Sequence, residues 1–229
     1  MRQRGIRRIA LAVGLMVGAF AAATALDGWA YRHLVRRTIY DGDFGRMLRI
    51  AGFLTTWAIV SLALVLCDPS WRDSAQTRWR RWRGVLPFVS AVLAGLTGQV
   101  LKLLIRRERP EAHAGAYAFR SWFDHPLSGA GLGLPSSHGV VAFGALAMLA
   151  HMYPSARWLW FALAAGCAVT RVLARAHFLS DVTLAGIVGI LVASFLWNWW
   201  RRQGTRSVMT RATAEHAEGA EDNTRILNK

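Results

Sequence analysis

Residues 170–200 read TRVLARAHFLSDVTLAGIVGILVASFLWNWW, a polar cluster that runs directly into a long apolar segment. From residue 182 to residue 200 this segment contains no Asp, Glu, Lys or Arg. A helix rises about 1.5 Å per residue, so the segment is long enough to cross the roughly 30 Å hydrocarbon core of a bilayer. The pattern predicts a membrane-spanning helix with ionisable residues gathered at one end.

Apolar segments recur along the chain and predict an all-α integral membrane bundle. The two shortest lie in the second half, and we extend the second of them past Arg171. Together the segments predict six transmembrane helices within one domain, residues 1–200: 9–26, 50–67, 84–101, 139–153, 158–170 and 182–200. The basic start and the stretch Ala23-Thr24-Ala25 also resemble a secretory signal, whose cleavage would leave five helices. We expect no cleavage, because the first segment exceeds the apolar core of about 7–15 residues that such signals carry.

Composition excludes several classes of protein. At 54% hydrophobic residues the chain is too apolar to be disordered, and two cysteines cannot build a disulfide scaffold. Lys and Arg total 28 against 13 Asp and Glu, a net charge of +15. Basic residues beside apolar spans set topology and contact anionic lipid, so we predict a bilayer rather than a nucleic acid as partner. The oligomeric state stays open.

The distribution of basic residues predicts an orientation. Arginines at the N-terminus and in residues 72–83 favour a cytoplasmic position for both segments. Residues 201–229 then form a polar cytoplasmic tail, which we expect to be disordered. The predicted location is a bacterial-type inner membrane, and the ionisable ends of the last four spans face the periplasm or the outside.

The polar cluster at residues 170–181 carries a pattern suited to catalysis. His177 and Asp181 are four residues apart and therefore adjacent on a helix. A carboxylate that binds one imidazole nitrogen leaves the other free as base or nucleophile. A single His–Asp pair is more often structural, but two further clusters fall on the same side of the predicted membrane.

Those two clusters supply cations and a helix start. Lys102 and Arg109 are seven residues apart, which is two helical turns, so they share one face of a helix. Lys and Arg at the ends of spans often only place their charge at the membrane interface, and that alternative stays open. Ser136, Ser137 and His138 open the fourth span. Ser at a helix start is commonly a cap, yet a helix N-terminus also binds phosphate, and a neighbouring His can act as a general acid.

The three clusters resemble the signature of the type 2 phosphatidic acid phosphatase (PAP2) superfamily, which also includes vanadium haloperoxidases. That signature is K-x6-R-P, then P-S-G-H, then S-R-x5-H-x3-D. The first motif is complete as Lys102, Arg109 and Pro110. The second has Ser137 where the family has Gly, and the third has Thr170 for Ser.

The resemblance implies a phosphatase whose cations, Lys102, Arg109 and Arg171, neutralise a phosphoryl group. Ser136 and the N–H groups near Ser137 and His138 would donate further hydrogen bonds. His177 would form a phosphohistidine, Asp181 would orient it, and His138 would protonate the leaving alkoxide. No metal and no cofactor is expected. Four other arginines could either extend the anion-binding field or lie in solvent or lipid headgroups: Arg106, Arg107, Arg120 and Arg175.

The predicted function is hydrolysis of a lipid phosphate or diphosphate monoester. One alternative is a phosphotransferase that uses the same site and passes the phosphoryl group to another hydroxyl. A membrane transporter is the alternative from another class, but transporters carry polar groups near the bilayer midplane, whereas here the ionisable residues gather at one end.

Overall fold

The computed structural model describes residues 2–68 and 82–227, whose regular structure consists of helices joined by loops. No strand occurs in these ranges, and the two isolated β-bridges, Arg107 with Phe119 and Glu108 with Leu132, lie in the long loop before residue 137. The all-α prediction is therefore confirmed. The α-helices are α1 Arg2–His33, α2 Asp43–Ile50, α3 Leu54–Leu66, α4 Leu86–Ile105, α5 Ser137–Met152, α6 Arg157–Leu173 and α7 Leu179–Leu227.

The predicted number of six spans is not confirmed. In the described ranges, four stretches are long and apolar enough to cross a membrane: Ile9–His33, Arg83–Ile105, Pro154–Leu173 and Leu179–Gln203. The third continues past Arg171, as expected. Helices α2 and α3 meet the same criterion only as a pair bent by 72°, which would make five. Apolar content alone predicted one straight span at residues 50–67, and it could not reveal the break before Leu54.

Helix α5 is too short to count as a span because Pro154 begins a new 3₁₀ helix directly after its cap, Tyr153. It lies at the centre of the packing and is buried along most of its length. At Gly144 an added Cβ would lie 2.7 Å from Cβ of Ala94, so α4 and α5 touch where a glycine is required. Ser90 on α4 also donates to the carbonyl of Gly144 at 2.7 Å.

Helix α1, in contrast to the buried helix α5, is exposed along its N-terminal half. Its N-terminal half exposes large apolar side chains such as Ile9, Leu11 and Leu15, which an aqueous protein would bury. Ala23, Asp27 and Ala30 in its C-terminal half are buried. Helix α1 therefore contacts the rest of the first unit through its C-terminal half and offers the other half to lipid.

The chain divides into two compact units, Met1–Ser194 and Phe195–Lys229. In the second, helix α7 continues to Leu227. The disorder and the cytoplasmic position expected for residues 201–229 stay predictions. The arginines at positions 72, 78, 80 and 81, on which the orientation partly depends, lie outside the described residues.

The predicted orientation can be tested with two cysteines. Cys67 is exposed at the end of α3, and Leu127, which is 86% exposed, lies in the loop before α5. In spheroplasts, a membrane-impermeant maleimide should label a Leu127→Cys variant that also carries Cys67→Ala. Native Cys67 should react only after the membrane is disrupted. The reverse labelling pattern would put the polar clusters on the cytoplasmic side.

Candidate active site

The first two motifs meet at the start of helix α5. Lys102, on the last turn of α4, is 2% exposed, and its Nζ donates to Oγ of Ser137 at 2.6 Å. A buried ammonium needs an acceptor, and Ser137 supplies one where the family has glycine. The departure from the family motif therefore adds a contact that positions the lysine.

The second and third motifs are joined through the backbone. Ser136 caps α5, because its Oγ accepts from the N–H of Gly139 at 3.4 Å. Its own N–H donates to the carbonyl of Asp181 at 3.1 Å. The capping interpretation of Ser136 is thus correct, and its contact with substrate stays a prediction. The remaining free N–H groups of the first turn are available to an anion.

The predicted His–Asp pair is formed. His177 lies in the turn between α6 and α7, and its Nδ1 is 3.3 Å from Oδ2 of Asp181. The same oxygen accepts from the N–H of Phe178 at 2.8 Å. Burial lowers the pKa of His177 to about 4, against the opposing effect of Asp181. The imidazole is therefore neutral near pH 7, and a proton held on Nδ1 leaves the lone pair of Nε2 free.

Arg107 occupies the other oxygen of Asp181, and sequence analysis did not foresee this role. Its Nη2 donates to Oδ1 of Asp181 at 2.5 Å and to Oγ of Ser180 at 2.6 Å. Arg107 is 4% exposed. It neutralises the carboxylate that holds His177, so it belongs neither to the anion field nor to solvent.

Asp27 of α1 is a second buried carboxylate that the sequence analysis missed. It is 1% exposed and accepts from the N–H of Ser180 and the hydroxyl of Tyr117, both at 2.8 Å, and from the hydroxyl of Ser180. Nη1 of Arg107 lies 4.0 Å away. The available signal was that Asp27 is the one acidic residue in the sequence of α1. It attaches the first helix to the turn that carries the His–Asp pair.

Two other arginines hold the loop between α4 and α5. Arg106 adopts a left-handed backbone conformation with φ 59°. Its buried guanidinium donates to four loop carbonyls, those of Arg120, Ser121, Asp124 and Pro126. Arg120 donates to Glu108 at 3.1 Å and to the carbonyl of Ala130 at 2.7 Å. Arg106 and Arg120 therefore stabilise the loop through hydrogen bonds. The guanidinium of Arg175 stacks over the ring of Tyr31.

Two further cations of the motifs, Arg109 and Arg171, lie near each other and form no ion pair with any described residue. Burial, and then the charge of Arg171, lower the pKa of Arg109 from its usual value, although a guanidinium stays protonated. The Nε atoms of Arg109 and Arg171 and Nε2 of His138 are buried with no hydrogen-bond partner in the described residues. Crowded cations and orphaned polar atoms are what an anionic ligand would satisfy.

No group of three His, Cys, Asp or Glu side chains that could hold a metal occurs within residues 2–68 and 82–227. Asp181 is already occupied by His177, Phe178 and Arg107. Metal independence stays a prediction that requires measurement.

The sequence model of the PAP2 superfamily matches residues 83–205, more than half of the chain. The chain belongs to the PAP2 superfamily. It is also 33% identical over 116 residues to proteins named lipid A 1-phosphatase from Rhizobium etli and Rhizobium johnstonii. The alignments cover 51% of this chain and 49% and 47% of those two proteins. The chain thus spans about half the length of the curated relatives it matches.

The charge balance around Arg107 gives a prediction about stability. Replacing it by Met would leave Asp181 and Asp27 buried without their cation, which typically costs about 3–5 kcal/mol. Denaturant titration in mixed micelles should show this loss for Arg107→Met. Arg46→Met is the control, because Arg46 is exposed, and it should change the free energy of unfolding by less than about 0.5 kcal/mol. Equal stability of both variants would contradict the proposed neutralisation.

Proposed function

We propose that the protein is an integral membrane phosphatase that hydrolyses a lipid phosphate or diphosphate monoester through a phosphohistidine on His177. The observation that carries the proposal is the set of buried, unpartnered nitrogens of Arg109, Arg171 and His138 near a buried, neutral His177. Family membership supports the same chemistry. The site so composed would bind a phosphate group and offer it a nucleophile.

In the first step, Nε2 of His177 attacks phosphorus while Lys102, Arg109 and Arg171 hold the phosphoryl oxygens. Charge must be neutralised as the phosphoryl group moves, and three fixed cations beside a helix N-terminus supply the positive field. Burial, and then the charges of Arg171 and Arg49, lower the pKa of His138 to about 3. The negative charge of the bound phosphate offsets those charges, so His138 acts as an imidazolium and gives its extra proton to the leaving oxygen as the P–O bond breaks. Asp181 keeps the proton of His177 on Nδ1 and stabilises the charge that develops on the ring.

In the second step, water hydrolyses the phosphohistidine. His138, which lost its proton in the first step, takes one from the attacking water as a general base. The P–N bond breaks, inorganic phosphate leaves and both histidines regain their starting states. If another hydroxyl replaced the water, the same site would act as a phosphotransferase, and product analysis with an added alcohol would reveal that.

The substrate class follows from the membrane and from the relatives. Apolar helices flank the site, so a substrate anchored in the bilayer would reach it by lateral diffusion. The two Rhizobium relatives are named for the 1-phosphate of lipid A. We therefore propose lipid A 1-phosphate as the first substrate to test, in a bacterial inner membrane with the site facing the periplasm. Phosphate release from a panel of lipid phosphates would test the proposal, and no release from any of them would contradict it.

Metal independence gives the first mechanistic prediction. Because cations of the chain itself supply the positive field, EDTA should leave phosphate release unchanged. Orthovanadate should inhibit, since it adopts the five-coordinate geometry of in-line transfer. Loss of activity in EDTA that Mg²⁺ restores would refute the mechanism.

The two histidines can be separated by the leaving group. A lipid alkoxide needs a proton, so His138→Ala should lose about 10²–10⁴-fold on a lipid phosphate. p-Nitrophenyl phosphate releases a stable phenolate, and His138→Ala should recover much of its rate on that substrate. His177→Ala should stay inactive on both.

Two outcomes would contradict these assignments. Equal losses of both variants on both substrates would mean that the assignment of roles is wrong. Rescue of His177→Ala alone by p-nitrophenyl phosphate would mean that the two histidines exchange roles.

A further inference from the structure

The bend between α2 and α3 covers His138. We call residues 49–53 the hook. At Gly52 an added Cβ would lie 2.6 Å from Cβ and 2.8 Å from Cδ2 of His138. The ring of Phe53 meets the imidazole of His138 edge to face, with centroids 5.1 Å apart. A segment outside the three motifs therefore closes the side of the site where His138 lies.

The hook begins with Arg49, whose guanidinium joins the cations of the site through Tyr40. The guanidinium carbon of Arg49 lies 4.8 Å from the centroid of the Tyr40 ring and 5.8 Å from that of Phe53. Nη1 of Arg171 donates to the hydroxyl of the same Tyr40 at 3.2 Å. Two guanidiniums thus share one aromatic ring.

Neither of these cations has a carboxylate partner in the part of the chain that the structure describes. The Nε atoms of Arg49 and Arg171 are both buried and unpartnered there. Arg46, three residues earlier on α2, is different. Its guanidinium lies 3.7 Å from Asp43 and donates to the carbonyl of Tyr40 at 2.7 Å. A cation kept without a counter-ion beside another cation indicates a place for an anion.

The ring of Phe53 indicates where that anion would lie. Its centroid lies 5.8 Å from the guanidinium carbon of Arg49 and 5.1 Å from the imidazole centroid of His138. Arg49 therefore lies on the His138 side of the site. In agreement, burial and then the charges of Arg171 and Arg49 lower the pKa of His138.

We propose that Arg49 is a further substrate-binding residue, which donates hydrogen bonds to an anionic oxygen of the substrate on the His138 side. The proposal rests on the proposed function. A guanidinium suits this task because its planar donors match phosphate oxygens in pairs. The oxygen belongs either to the phosphoryl group that is transferred or to a second phosphate on the leaving group, as in a lipid diphosphate.

Kinetics with two substrates of one lipid chain, a polyprenyl monophosphate and the corresponding diphosphate, test the proposal. Arg49→Gln should raise KM by roughly 10-fold to 100-fold, the usual effect of losing a charged hydrogen bond. Arg49→Lys should restore part of the affinity, and Arg46→Gln is the matched control that should not change it. A rise with both substrates assigns the oxygen to the transferred group, and a rise with the diphosphate alone assigns it to the leaving group. No difference between Arg49→Gln and Arg46→Gln would overturn the proposal.

A binding measurement separates this proposal from the proposed function. Inorganic phosphate and inorganic pyrophosphate should raise the melting temperature of the full chain in detergent. Arg49→Gln should melt with the wild-type protein when no ligand is present, and it should lose part of the shift with at least one of the two anions. If the wild-type protein binds these anions but releases no phosphate from any lipid, the proposed function fails while Arg49 is still tested. An unchanged shift with both anions, or no shift in the wild-type protein itself, would overturn the role of Arg49.

Discussion

The buried carboxylate of Asp181 is the constraint on which the candidate site depends. One oxygen contacts His177 and the N–H of Phe178, and the other receives the guanidinium of Arg107. The backbone carbonyl of the same residue accepts from Ser136, which begins helix α5. A single residue thus fixes the proton of the imidazole, the start of α5 and the loop after α4. Helix α5 is short, but its position is fixed at two places. Its N-cap, Ser136, donates to Asp181, and the carbonyl of Gly144 accepts from Ser90 on α4.

Charge balance explains why the arginines of this site have different tasks. Arg107 lies against the two buried carboxylates, Asp181 at 2.5 Å and Asp27 at 4.0 Å, so its charge is used within the protein. Within residues 2–68 and 82–227, Arg49, Arg109 and Arg171 form no ion pair with a carboxylate. Arg109 and Arg171 also repel one another. Like charges held together in a buried site raise the free energy of the folded protein, and a bound anion lowers it again. The arrangement of charges therefore favours an anionic ligand over a neutral one, as the proposed phosphatase function requires.

Sequence analysis predicted what depends on local spacing. His177 and Asp181 pair because four residues make one turn, and the apolar segments predicted the helices. The predicted count of six spans is not confirmed, because a bend before Leu54 and a proline at position 154 end helices within apolar sequence. The sequence analysis also missed Asp27, which lies 154 residues before Asp181 and is linked to it through Arg107 and Ser180. Contacts of that kind depend on how helices pack, and no short pattern in one segment encodes them.

Ser137 shows how a departure from a motif can be read only in the folded protein. In the sequence it is a departure from the glycine of the family motif. In the structure its hydroxyl accepts from Lys102, whose ammonium is buried and would otherwise lack an acceptor in the absence of substrate. An ammonium has three donors, so this contact leaves two for phosphate oxygens. The serine therefore holds the lysine at the helix N-terminus, where its charge and the helix dipole act on the same ligand.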